Sequence, residues 1–234
     1  MVVTTVKSFY RELTVRSEWI EDCVQNHPPL PSRTDAAERI LEAAKFLFAR
    51  EGYASVSIRD IAEAADVSKA NVFHHFMSKE RLYLEVLRRT CDSARHLLST
   101  LEGSEAGPVD ERLRHFIYAD LQRGLDDLDG TRLVLSEAFD SNPCRARALA
   151  DEVFGDGFAQ LTRLVTEGQQ SGEWRPDIDP ALMASLIVAA NAFFLSYREV
   201  LRQLPGIDFA DHPERYAEMV VEILLHGIRS PGAP

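Results

Sequence analysis

Cysteine is scarce in this chain. Cys23, Cys91 and Cys144 are the three among 234 residues, and their odd number and wide spacing suggest neither a disulfide framework nor a metal knuckle. A reducing cytoplasm is the natural expectation. No apolar run is read as reaching the roughly 20 residues of a bilayer-spanning helix, so no membrane partner is expected. The opening stretch MVVTTVKSFYRELTVRSEW lacks the apolar core and small-residue cleavage site of a signal peptide.

Catalytic motifs are wanting as well. There is no G-x-S-x-G, P-loop or Rossmann glycine run. His74, His75, His96, His115, His212 and His226 show no C-x-x-C or H-E-x-x-H spacing. Asp126, Asp127 and Asp129 read as a solvated helix end. No catalytic residue, metal or cofactor is expected, and the chain is not read as an enzyme. Neither strand alternation nor an internal repeat is found, which leaves an all-α chain.

Positive charge is also in short supply: 26 Lys and Arg stand against 37 Asp and Glu, for a net charge of −11. Spread evenly, that would oppose nucleic-acid binding, but it is not even. Residues 1–32 carry 3 basic and 4 acidic side chains, residues 33–90 carry 10 and 9, and residues 91–234 carry 13 and 24. The acidity is C-terminal. With no bulk-basic footprint, any DNA binding must rest on local geometry.

That geometry is present between Ser57 and Lys79, SIRDIAEAADVSKANVFHHFMSK. Ser57 and Asp60 form the S-x-x-D pattern of a reciprocal cap. Ile58, Ile61, Ala62 and Ala65 follow at helical spacing and make one buried face. Ala65–Asp66–Val67 reads as a tight turn. Ser68 caps a second helix whose first turn, Lys69, Ala70 and Asn71, is polar or small, while Val72, Phe73 and Phe76 are expected to hold it against its neighbours. A short helix with a polar leading end on an apolar base is the form of a helix-turn-helix DNA reader. Its N-terminus favours phosphate, Lys69 and Lys79 add charge, and the Asn71 amide suits adenine. His74 and His75 lie within reach of phosphate.

From Ala36 to Arg89 the chain resembles the DNA-binding domain of TetR-type transcriptional regulators. The residues carrying the likeness are ILEAAKFLF with Gly52, SIRDIAEAADVS, and NVFHHFMSKERL. Two positions depart from the family pattern: Asp66 stands where Gly is usual, and Phe73 where Tyr is usual. Asp tolerates the left-handed conformation, so the turn survives. The resemblance implies Ser57 and Arg59 near the phosphate backbone, Lys69, Ala70, Asn71, Phe73 and His74 facing the groove, and His75 and Lys79 on phosphate.

Around the reader, residues 1–32 form an N-terminal extension broken by the prolines of NHPPLPS. Residues 33–80 are the expected DNA-binding domain of three helices, the first starting near Thr34 or Asp35 and ending at Gly52. Residues 81–234 are the expected α-helical dimerisation and ligand-binding domain, entered by a helix capped at Ser78. The linker GSEAGP (103–108), a helix over 110–128 ended by Asp129–Gly130, a short helix over 131–139, a long helix over 144–170 and a loop over 171–180 follow. Two apolar helices complete the chain, 181–204 and a last one on which Tyr216, Met219, Val220, Ile223, Leu224 and Gly227 make one stripe.

Those last two helices are too greasy for a monomer surface. The expectation is a two-fold dimer interface, as in the family, through Leu186, Phe193, Tyr216, Val220, Ile223 and Leu224. Polar groups on otherwise apolar helices either bond within the core or line a ligand pocket. The pocket reading takes His115, Phe116, Asp120, Phe154, Phe158, Asn191 and Phe194. Together these imply a homodimeric, ligand-responsive regulator, a repressor by expectation, with double-stranded operator DNA and an apolar organic effector as partners. The rival from another class is a helical small-molecule carrier or interaction protein with a vestigial reader.

Overall fold

A computed structural model describes residues 36–102, 107–139 and 143–228. The expected arm, the helix start at Thr34 or Asp35 and most of the GSEAGP linker lie outside them. Every regular element among the described residues is a helix. The chain divides into two compact units, Met1–Met77 and Ser78–Pro234, with the division after Met77 rather than after residue 80.

The first unit holds α1 (Ala36–Glu51), α2 (Ile58–Ala64) and α3 (Lys69–Phe76). Ile40, Ala44 and Phe48 of α1 pack with Ile61 and Ala62 of α2 and Val72 of α3, all buried. Gly52 ends α1 at φ 79, donating its N–H to the Phe48 carbonyl at 3.0 Å, the left-handed stop that glycine takes without strain. The cap at Ser57 is reciprocal. Its hydroxyl accepts the Asp60 N–H at 3.3 Å, and its own N–H donates to the Asp60 carboxylate at 2.8 Å. Asp66 makes the turn at φ 52, so the Asp in the glycine position is accommodated as its side-chain chemistry allows.

The second unit comprises α4 (Lys79–Thr100), α5 (Val109–Asp126), α6 (Leu128–Phe139), α7 (Pro143–Leu149), α8 (Gly155–Gln170), α9 (Pro180–Leu201) and α10 (Pro213–Ile228). Helix α5 lies at its centre, packed against α10, α9, α4 and α8. Leu113, Ile117 and Leu121 of α5 meet Leu161 and Val165 of α8, Ile187 of α9 and Val221 of α10 in one core. Three boundaries differ from the sequence reading. The break falls at Asp127, whose carboxylate accepts the Gly130 N–H at 3.1 Å; it thereby caps α6 and draws Asp129–Gly130 into that helix. The long helix over 144–170 is interrupted by a π turn at Ala150–Phe154. The apolar helix ends at Leu201, since residues 202–204 form turns.

Helix α9 is itself a correction. Its 22 residues are long and apolar enough to meet the length-and-composition test for a membrane span, contrary to the expectation that no run would. Core helices of soluble folds pass the same test, and α9 packs along α8 and α5 with an amide, Asn191, on its buried face.

Polar groups secure this unit at specific points. The Trp174 side chain, in the loop read only as a connection, is fully buried. Its ring lies over Gly168 and its indole N–H donates to the Asp110 carboxylate at 2.6 Å. Arg112, also buried, makes a two-pronged bond to Glu167 at 2.7 and 2.8 Å and donates to the Leu101 carbonyl. Buried Glu137 accepts from the Tyr83 hydroxyl at 2.6 Å and from Arg145 at 2.9 Å. Cys91 is half-buried, and burial pushes its thiol up to about 11, the setting of an inert structural cysteine.

Candidate nucleic-acid interface

Helix α3 is built to present one face. Ser68 caps it, its hydroxyl accepting the Asn71 N–H at 3.1 Å. The first N–H groups of a helix have no acceptor inside it; in α3 these belong to Lys69 and Ala70, both exposed. One turn on, Phe73 and His74 are exposed too, so Lys69, Ala70, Phe73 and His74 share the outward face while Val72 is buried behind them. Of the three expected anchors, Val72 is buried, Phe76 is half-buried and Phe73 is half exposed to solvent, at 49 %. Phe73 therefore belongs to the presented surface and does little to hold the helix. The His74 and His75 rings meet edge to face at 5.3 Å.

Asn71 stands differently from the adenine-reading position expected of it. Its side-chain Oδ1 is buried and has no hydrogen-bond partner. A bidentate contact to adenine needs carbonyl and amino group presented together, and this carbonyl is turned inward. Ser57 and Arg59 are exposed at the start of α2. Lys79 opens α4 in the second unit. A residue the sequence reading passed over is Met77, which is 81 % exposed and has φ 61; its place one turn beyond Phe73 was the available signal.

In the second unit, the residues expected to line a pocket divide. His115 and Phe158 are exposed, because each lies on the outer face of its helix. Phe116 and Phe194 are core residues, and Phe154 is half-buried in the π turn. Asp120 and Asn191 are brought together: the Asn191 amide donates to the Asp120 carboxylate at 3.0 Å and to the Ile117 carbonyl at 3.1 Å. Arg123 donates to the other Asp120 oxygen at 2.9 Å. Both partners of the Asn191 nitrogen are acceptors, which fixes the amide orientation. Its Oδ1 is then a buried acceptor without a partner.

The expected interface residues divide in the same way. Tyr216 is a correction: it is buried, stacked on Phe194 at 4.3 Å, and its hydroxyl donates to the Ala190 carbonyl at 2.6 Å. Desolvation accordingly raises its phenol to about 12. The inward stripe of α10 is Tyr216, Ala217, Val221 and Leu225, offset from the one read in the sequence. Leu186, Phe193 and Ile223 face outward, joined by Leu182 and Met219, while Val220 and Leu224 are half-buried at the edge of the core. The spacing Leu182–Leu186–Phe193 was legible, but in a helix apolar all round it does not stand out.

Comparison with known proteins follows the same division. Residues 40–86 match the family described as bacterial regulatory proteins, tetR family, and residues 110–224 match the tetracyclin repressor-like C-terminal domain. The HTH-type transcriptional regulator RutR of Escherichia coli (strain K12) is 29 % identical over 205 residues, 85 % of this chain and 93 % of its own. The HTH-type transcriptional repressor DhaR of a Mycobacterium species is 28 % identical, over 68 % of this chain and 80 % of its own. A transcriptional regulator from Saccharomonospora viridis, solved in complex with choline, superposes with a TM-score of 0.62 at 27 % identity, covering 85 % of this chain and all of the other. None of these is a carrier, and that reading is not favoured.

Proposed function

Because the chain belongs to the TetR family of DNA-binding transcriptional regulators, we propose that it acts as a homodimeric repressor. It binds an inverted-repeat operator and is released by a small organic effector. The observation that carries the reading is the outward face of α3, with Lys69, Ala70, Phe73 and His74 exposed on a base held by buried Val72. Arg59 and His75 supply phosphate contacts from the same unit, Ser57 lies at the α2 end near the backbone, and Lys79 is the further phosphate contact that the family resemblance implies.

Leu182, Leu186 and Phe193 of α9 with Met219 and Ile223 of α10 leave an apolar face uncovered in the single chain. A second copy related by two-fold symmetry covers it. Two readers then meet successive major grooves about 34–36 Å apart on one side of the duplex. The effector binds in the second unit, where Asn191 Oδ1 accepts a hydrogen bond from its polar handle beside Asp120. The choline-bound relative supports a small organic molecule in that role. Binding shifts α4, which follows directly on from the reader in the chain, and spoils the spacing.

Fluorescence anisotropy against mixed genomic fragments at two salt concentrations tests the DNA arm; binding absent at low salt sinks it. A thermal-shift screen of hydrophobic small molecules, each hit repeated with bound DNA, tests the effector arm. Reciprocity requires DNA to weaken the effector by the factor with which the effector weakens DNA, typically about 5–150-fold. Genuine binders that leave DNA affinity untouched remove the second unit as the sensor.

A further inference from the structure

The presented face of α3 is less polar than a DNA reader needs for hydrogen-bonded readout. Ala70 and Phe73 lie one turn apart on α3, Met77 follows at the end of the helix as its C-cap, and all three are exposed. Lys69 and His74 flank Ala70 and Phe73. The side chain best suited by type to read a base with hydrogen bonds, Asn71, has its carbonyl oxygen buried.

Met77 is the most telling of the three. It is the C-cap of α3 at φ 61, a backbone region that glycine enters freely and a side chain with a Cβ enters at a cost. Its N–H still donates to the Phe73 carbonyl at 2.9 Å, so the cap would form equally well with glycine. At 81 % exposure the side chain wins little packing in return for the strain. Strain kept where nothing in the fold profits from it points to a use outside the fold.

We propose that Ala70, Phe73 and Met77 form an apolar strip that reads thymine methyl groups in the major groove, with Met77 a specificity-determining residue. The thymine C5-methyl is the one apolar feature among the base edges of that groove, and small or aromatic apolar side chains are its recognised partners. The half-site is therefore distinguished by where its thymines lie, while Lys69 and the helix N-terminus hold register on phosphate. This rests on the DNA-binding reading above.

The experiment begins with selection of duplexes from a random-sequence pool by the full chain. The recovered duplex is then made with uracil in place of thymine, one position at a time. Uracil keeps every hydrogen-bonding group and removes only the methyl. The wild-type chain is expected to lose about fourfold in affinity at each contacted methyl, the worth of one buried methylene-sized group. Met77→Gly is expected to melt at a higher temperature, to bind the selected duplex more weakly, and to show no uracil penalty at one thymine position where the wild type does. A purely structural role for Met77 would not move stability and affinity in opposite directions. If no thymine can be told from uracil, the methyl strip is wrong while DNA binding stands. If Met77→Gly keeps every wild-type uracil penalty, Met77 is not part of it. If selection enriches nothing, the DNA-binding reading fails and takes this inference with it.

Discussion

Replacing Ile223 with glutamate separates the fold of one chain from the pairing of two. Ile223 is 72 % exposed in the single chain, so a glutamate there stays in water and should change monomer stability by no more than about 0.5 kcal/mol. If the α9–α10 face is covered by a second copy, the same carboxylate is buried without a partner, which costs about 3–5 kcal/mol. Two-fold symmetry introduces it twice. With a tenfold change for every 1.4 kcal/mol, roughly, even one such charge weakens the dimer by about a hundredfold to several thousandfold. Sedimentation velocity over a concentration series, paired with thermal melting of the same samples, should show a folded monomer. Val221→Glu is the matched control. Two positions away, Val221 is fully buried in the core of its own chain, so that variant should lose its fold and not merely its partner. An Ile223→Glu chain that sediments as a dimer with the wild-type dissociation constant would refute the placement of the interface.

Three further outcomes follow from the geometry. Asn71→Ala should leave base preference unchanged, because its carbonyl is turned inward; an altered selected consensus would return it to the reading surface. Ser57→Ala should lower stability by about 1 kcal/mol through loss of the α2 cap, and should also shrink the acid-side fall in stability. The Ser57 hydroxyl, then its N–H, hold the Asp60 carboxyl below its ordinary 3.8. That contribution is whole above 3.8 and is lost as the pH falls through the lower folded-state value, so melts that show the same acid limb in both proteins would exclude it. Gly168→Ala should cost about 1–3 kcal/mol by overpacking, since a Cβ there would lie 2.6 Å from the Trp174 ring; an unchanged melting temperature would show that the loop yields freely.

What the sequence disclosed depended on how local the cause was. The Ser57–Asp60 cap, the Asp66 turn and the Gly52 stop are each decided within four or five residues, and all three stand as read. The reader was legible for the same reason. Trp174 was not, because its burial depends on Asp110 and Gly168, one of them far away in the chain, and a Trp among Gly, Pro and Asp looks like loop. The stripe on α10 was displaced because α10 has two apolar sides: Tyr216, Ala217, Val221 and Leu225 turn inward, while Met219 and Ile223 turn outward. Periodicity gives the presence of apolar faces but not which of two is inside. His115 and Phe158 were misplaced for a related reason. A residue type suited to a pocket says nothing of the side of the helix on which it sits.

The charge distribution sets a limit that salt titration can reach. Each DNA-binding half offers three lysine or arginine side chains, Arg59 and Lys79 at the expected phosphate positions and Lys69 at the leading end of α3, so a symmetric pair offers about six. For duplex DNA the affinity falls with a logarithmic slope of about −0.9 per neutralised phosphate, which bounds the slope near −5. Lys79→Ala, removing one charge from each copy, should flatten it by about two while weakening all sequences alike. The stretch beyond residue 90 carries 24 acidic against 13 basic side chains, so its net charge opposes association with the duplex. A measured slope well beyond −5 would therefore have to draw on cations outside the helix-turn-helix, and Lys7, Arg11 and Arg16 of residues 1–32 are candidates among those that precede it in the chain. Deleting residues 1–32 would then restore the shallower value, as for a basic arm entering the minor groove. An unchanged slope after deletion would assign those residues no part in binding.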